Sequence, residues 1–165
     1  VSTAAIILLI VLIPLTAFNL YILVLRKRKK AATRAYQQVF SELELKAAAE
    51  MEKRNLDLDE KQAFLNDAGQ GILISFNGES GMMAVTLKDA FHVMPASDVK
   101  GCHVRYDEAN GKYSRIRVEI ETSGMPIIFV FGTGEWKPKS ALGEMIMEEA
   151  REFCNRIRTH CGLAA

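Results

Sequence analysis

The chain has 165 residues, 49% of them hydrophobic, with 21 Lys plus Arg against 20 Asp plus Glu and a formal net charge of +1. Five of the bases are consecutive, Arg26 to Lys30; without them 16 bases face 20 acids, a net of −4, which is the wrong sign for a nucleic-acid-binding domain. The three cysteines, Cys102, Cys154 and Cys161, show no CxxC spacing, and their odd number points to free thiols.

The first predicted element is the run AAIILLIVLIPLTAFNLYILVL, Ala4 to Leu25, which carries no charge. As a helix of 22 residues it would cover about 33 Å, enough for the roughly 30 Å hydrocarbon core of a bilayer. The bases follow this run instead of preceding it, so it reads as a retained anchor and not as a cleaved signal peptide. Arg26, Lys27, Arg28, Lys29 and Lys30, joined by Arg34, then orient a single-pass protein in an inner membrane, with the N-terminus outside and the C-terminal part cytoplasmic. The same bases are candidates for contact with anionic lipid headgroups, at about 1 kcal/mol per base near the surface. Pro14, Thr16 and Asn19 interrupt the apolar run. A proline-freed carbonyl and an amide in hydrocarbon both need partners, so these residues are expected to pack against another membrane helix. Ala4, Ala5 and Ala17 lack the spacing for tight self-dimerisation, which favours a hetero-partner in an integral membrane protein complex.

From Ala31 to about Arg54 there is no Gly or Pro, and Tyr36, Phe40, Leu43, Ala47 and Met51 recur at three- and four-residue steps. That pattern predicts an amphipathic helix, read as a stalk that continues the anchor or folds back on its own domain. The stripe covers barely two heptads. It does not establish a coiled coil by itself, and it leaves self-association through the stalk open. NLDLDEKQAFLNDAG next reads as a break and a short helix, with Asp57 as cap, Glu60 three residues on and Gly69 to end it.

Beyond Gly71 the period changes. GILISF, MMAVTL, FHVM, CHVRYDE, YSRIRVEIET and PIIFVFG predict six strands separated by turn-rich segments. Around Asn110-Gly111, Cys102, Val104 and Tyr106 must share a face with Ile116, Val118 and Ile120. That parity calls for an odd loop, with three residues and Gly111 left-handed. Asp107 would then face Arg115, and His103 would face Glu119, on a wet surface. The segment KPKSALGEMIMEEAREFCNRIRTHCG predicts a helix capped by Ser140 and closed by Gly162, burying Leu142, Met145, Ile146, Ala150, Phe153, Ile157 and Cys161.

This strand run, the FHVMPASDVKGCHV segment and the closing amphipathic helix resemble the bacterial pleckstrin-homology-like domains over about residues 70–160. The resemblance implies a partly open antiparallel barrel of six or seven strands capped by a C-terminal helix, a fold used for binding or assembly. The expected organisation is a transmembrane anchor over residues 1–30, a helical stalk and hinge over 31–69, and an α+β PH-like head over 70–165.

Catalytic signatures do not emerge from the sequence. GTGEW, Gly132 to Trp136, follows a strand but lacks the GK[ST] ending of a phosphate loop and reads as a strand-to-helix connection. There is no GxSxG and no HExxH. Cys102 with His103, and His160 with Cys161, are adjacent pairs, and adjacent residues on a strand point to opposite faces, so neither a metal nor another cofactor is expected. Trp136, the sole tryptophan, is expected at the barrel rim or as an interface anchor. The functional expectation is a non-catalytic accessory or scaffold subunit of a larger membrane complex. The alternative is a membrane-tethered lipid or ligand sensor.

Overall fold

A computed structural model describes residues 34–163. The chain falls into two units, Val1–Gln38 and Val39–Ala165. Of the first, residues 34–38 are described, and they are helical and exposed. The same helix, α1, covers residues 34–52 in all, and its later part belongs to the second unit. There follow β1 (Glu60–Leu65), β2 (Gly71–Asn77), β3 (Met82–Leu87), β4 (Phe91–Pro95), a 3₁₀ turn (Ala96–Asp98), β5 (Val99–Ala109), β6 (Lys112–Thr122), β7 (Ile127–Trp136) and α2 (Ala141–His160).

The strands form two antiparallel sheets, one in the order β1-β2-β3-β4 and one in the order β5-β6-β7. The four-stranded sheet is covered on both faces. On one face, Phe64, Ile72, Ile74, Phe76, Met83 and Val85 enter a core shared with Cys102, Ile116, Val118, Ile120, Phe129 and Phe131 of the second sheet and with Ile146, Ala150, Phe153 and Ile157 of α2. On the other, Ala63, Leu73, Ala84, Phe91 and Val93 pack with Leu43, Ala47 and Met51 of α1. Strand β2 is therefore buried from Gly71 to Phe76 without interruption. Lys46 fastens α1 to the β3–β4 turn by donating to the carbonyls of Leu87 and Lys88, both at 2.8 Å, and of Ala90 at 3.3 Å. Beneath the helix, the hydroxyls of Ser75 and Thr86 are fully buried and have no hydrogen-bond partner.

These facts correct the expected architecture. No helix among the described residues is long and apolar enough to cross a membrane. The strands make two separate sheets, not one partly open barrel. The expected stalk is not a stalk in its second half: Leu43, Ala47 and Met51 are spent on the chain's own sheet, so the described stripe forms no coiled coil. The run predicted to span, with Pro14, Thr16, Asn19 and the bases Arg26 to Lys30, lies outside the described residues. The single-pass inner-membrane placement thus stands on no described helix.

The short helix expected over residues 57–69 is instead strand β1, registered Phe64 to Ile72 and Ala63 to Leu73. Glu, Lys, Gln and Ala favour helix locally, but Phe64 reaches the core only by pairing along β2, and tertiary packing overrides the propensity. Gly69 does adopt a positive φ, of 76°, as the pivot of the β1–β2 turn. That turn is held by Asn66, whose Oδ1 accepts from the backbone of Ala68 and Gln70 at 3.0 and 2.8 Å.

The hairpin at Asn110-Gly111 resolves its parity differently from the expectation. Ala109 pairs with Lys112, leaving a two-residue loop with φ of 53° and 68°, the signature of a type I′ turn. The odd residue sits in the strand, as a bulge between Ile116 and Ser114 where Arg115 takes a φ of 51°. Cys102 and Val104 still share the inner side with Ile116, Val118 and Ile120. The outer side carries a ladder in which Arg117 reaches Asp107 at 3.1 Å and Glu119 at 3.0 Å, with Arg115 to Asp107 at 3.6 Å. His103 is registered opposite Glu119, but its Nε2 lies nearer Glu121, at 3.7 Å.

Candidate functional site

An open cleft of about 620 Å³ lies between the tip of the β5–β6 hairpin and the first turns of α2. Its floor is Tyr106 and Tyr113, whose rings lie 4.3 Å apart at 42°. The Arg115 bulge makes this pairing: Tyr113 is registered opposite Glu108, which shares its side of β5 with Tyr106, so one inserted residue brings Tyr113 round to the α2 side. Proximity of the Tyr106 phenol, with some burial and the charge of Glu108, holds the Tyr113 hydroxyl above the usual phenol range.

The helix wall is set by capping and by two close approaches. Ser140 Oγ accepts from the Gly143 amide at 3.2 Å, which starts α2. A Cβ at Gly143 would come within 2.8 Å of Ser140 Oγ and 2.9 Å of the Lys137 carbonyl, so only glycine permits this start. Trp136 folds back over its own strand: a Cβ at Gly132 or Gly134 would meet the indole at 3.1 or 3.2 Å. GTGEW is therefore the bulged end of β7, with glycines making room for a tryptophan, and not a strand-to-helix connection. Trp136 is half-buried against the core, and its indole N–H is buried without a partner.

The buried face of α2 also differs from the expected one. Gly143, Ile146, Met147, Ala150, Phe153, Cys154 and Ile157 face inward. Leu142 and Met145 fall on the adjoining flank and are 46% and 51% exposed. Met145 lines the cleft, together with the exposed carboxylates of Glu144 and Glu148 and with Arg151. Tyr106, at 42% exposed, completes an apolar surface that the core does not use.

The residues singled out from sequence lie elsewhere. Pro14, Thr16, Asn19 and the run from Arg26 to Lys30 are outside the described residues. Arg34 and Tyr36 are exposed on α1, Phe40 is half-buried at the edge of the second core, and Leu43 and Met51 are buried in it. Leu43 and Met51 belong to that second core, whereas Trp136 packs against the first. The cleft residues Tyr106, Tyr113 and Met145 went unmarked because Tyr106 reads as one more inward strand position and Met145 as one more core methionine. The available signal was the tight phase of Gly143, Ile146, Ala150, Phe153 and Ile157, which leaves Leu142 and Met145 to one side.

Among the described residues no cluster of three or more His, Cys, Asp and Glu is arranged to hold a metal. Comparison of the chain with protein-family models, with curated proteins and with solved structures yields no match.

Proposed function

We propose that the domain is a non-catalytic binding module, an accessory or scaffold component that receives a short segment of a partner protein in the cleft between Tyr106, Tyr113 and α2. One observation carries this reading: Tyr106 and Met145, both exposed, line one open cleft together with half-buried Tyr113. Aromatic and methionine side chains are enriched at interfaces because they supply contact area and adapt to a ligand. The volume falls within the range of ligand-sized clefts. Acidic Glu144 and Glu148 beside Arg151 give the rim polar contacts that orient a segment without demanding a strongly charged one.

The test is selection of binding peptides from a random library against the full chain, followed by calorimetry of an enriched peptide. Tyr106→Ala and Met145→Glu should each weaken binding by about tenfold or more, the loss expected at a hot-spot residue. Glu79→Ala, in the β2–β3 turn, should leave it unchanged. If no peptide is enriched, or if enriched peptides bind the cleft variants as well as the parent chain, the reading fails.

A further inference from the structure

The core holds a thiol pair whose placement is independent of what the cleft binds. Cys102 on β5 and Cys154 on α2 are 0% and 3% exposed, and their sulfurs lie 3.0 Å apart although the residues are 52 positions apart in sequence. Both are free thiols, each fixed on a regular element. The geometry points to Cys102 and Cys154 as a site of reversible oxidation, at which a hydroperoxide converts the pair to a disulfide that ties α2 to the β5 edge of the second sheet.

The surroundings assign the order of events. Cys102 Sγ donates its hydrogen bond to Cys154 Sγ, and Arg158 stands one turn along α2 from Cys154, with its Nε donating to the Cys102 carbonyl at 3.1 Å. The donated hydrogen bond and the guanidinium favour the anionic form of Cys154, whereas the Cys102 thiol is pushed up by its bond to Cys154 and by burial. Cys154 is accordingly the attacking sulfur. Its thiolate attacks one peroxide oxygen, the O–O bond breaks, hydroxide leaves and takes up a proton, and Cys154 becomes a sulfenic acid. The Cys102 sulfur then attacks the Cys154 sulfur, the S–O bond breaks, and the hydroxyl leaves as water with the Cys102 proton. Two thiols and one hydroperoxide give one disulfide and, for hydrogen peroxide, two waters; the two electrons pass from sulfur to the peroxide oxygens. A small neutral oxidant suits so enclosed a pair.

Cys161 supplies the internal comparison. It lies in the turn that ends α2, half-buried, with its thiol pushed up to about 11 by burial and its Sγ 3.7 Å from Met83 Sδ. Though more accessible, it has no thiol within 3 Å to condense with, and it should remain unpaired.

The experiment uses the full folded chain and Cys161→Ser, each treated with hydrogen peroxide near stoichiometry, alkylated, and mapped by mass spectrometry without reduction. The expected product is a Cys102–Cys154 cross-linked peptide, two hydrogens lighter than its parts, in both proteins and reversed by dithiothreitol. Closing so long a loop should also raise the thermal midpoint by about 5 °C or more. Mapping the parent chain avoids dependence on core variants that fail to fold. Recovery of both Cys102 and Cys154 as alkylated thiols, a cross-link through Cys161 instead, or a Cys102–Cys154 bond formed only in denaturant would each overturn the assignment.

Discussion

Phe153→Ala is the most direct test of how the core is joined. Phe153 is fully buried on α2 and meets Phe64 of β1 edge-on at 5.2 Å and Phe131 of β7 at 5.7 Å, while Phe64 and Phe131 also meet at 6.2 Å. One ring from each sheet and one from the helix thus close a triangle, and Phe153 is the vertex that ties α2 to both sheets. Truncation of a buried phenylalanine costs about 3–5 kcal/mol in transfer and cavity terms. Each lost edge-to-face pair adds about 0.5–1.5 kcal/mol, although part of that is already contained in the first figure. A loss of about 5 kcal/mol is expected, a large fraction of the 5–15 kcal/mol that holds a typical domain folded. In urea, with a slope of about 2 kcal/mol per molar, the midpoint should fall by about 2.5 M. Phe153→Leu, which keeps most of the volume, should cost about 1.5 kcal/mol or less. If Phe153→Ala costs under about 2 kcal/mol with an unchanged slope, the helix is not seated on the two sheets as described.

Three further outcomes follow from particular contacts. Thr86→Val replaces a buried, unpartnered hydroxyl by a methyl of the same shape and should raise stability by about 1 kcal/mol in chemical denaturation; a loss would mean that the hydroxyl has a partner. Lys46→Met removes the donor to three carbonyls of the β3–β4 turn and should cost about 1–3 kcal/mol, with faster amide exchange concentrated in α1 and that turn. Burial, helped by Glu152, raises the Glu149 carboxyl above its usual range. A carboxyl raised in the folded state binds more protons there than in the unfolded chain, so its contribution falls as pH rises from the unfolded pKa through the folded one. Glu149→Gln should therefore stabilise at neutral pH and flatten the thermal midpoint across that window, and an unchanged pH profile would refute the assignment.

The runs of β2 to β7 and the caps of α2 were legible because each rests on short-range rules: β-branched and aromatic enrichment between turn segments, turn residues at Asn110-Gly111, and Ser140 with Gly162 at the helix ends. Strand β1 was not. EKQAFL has the composition of a helix, and only the β2 edge it completes makes it a strand. The fate of the α1 stripe was likewise beyond local pattern, since an apolar stripe reads the same whether a second chain or its own sheet covers it. The cleft was least legible of all. It depends on Arg115 entering the left-handed region, which an arginine seldom does, and on a small rotation of α2 that leaves Met145 outside the core.

The Arg115 bulge separates two jobs along one hairpin. On its inner side the register of Ile116, Val118 and Ile120 is locked by the core, while beyond it Tyr113 keeps a phase of its own. A gain or loss of one residue at this point would turn Tyr113 away from Tyr106 while leaving the register of Ile116, Val118 and Ile120 in place. The tip can therefore drift in sequence, length and preference for what it holds while the body of the domain stays fixed, much as an interchangeable bit turns in an unaltered handle.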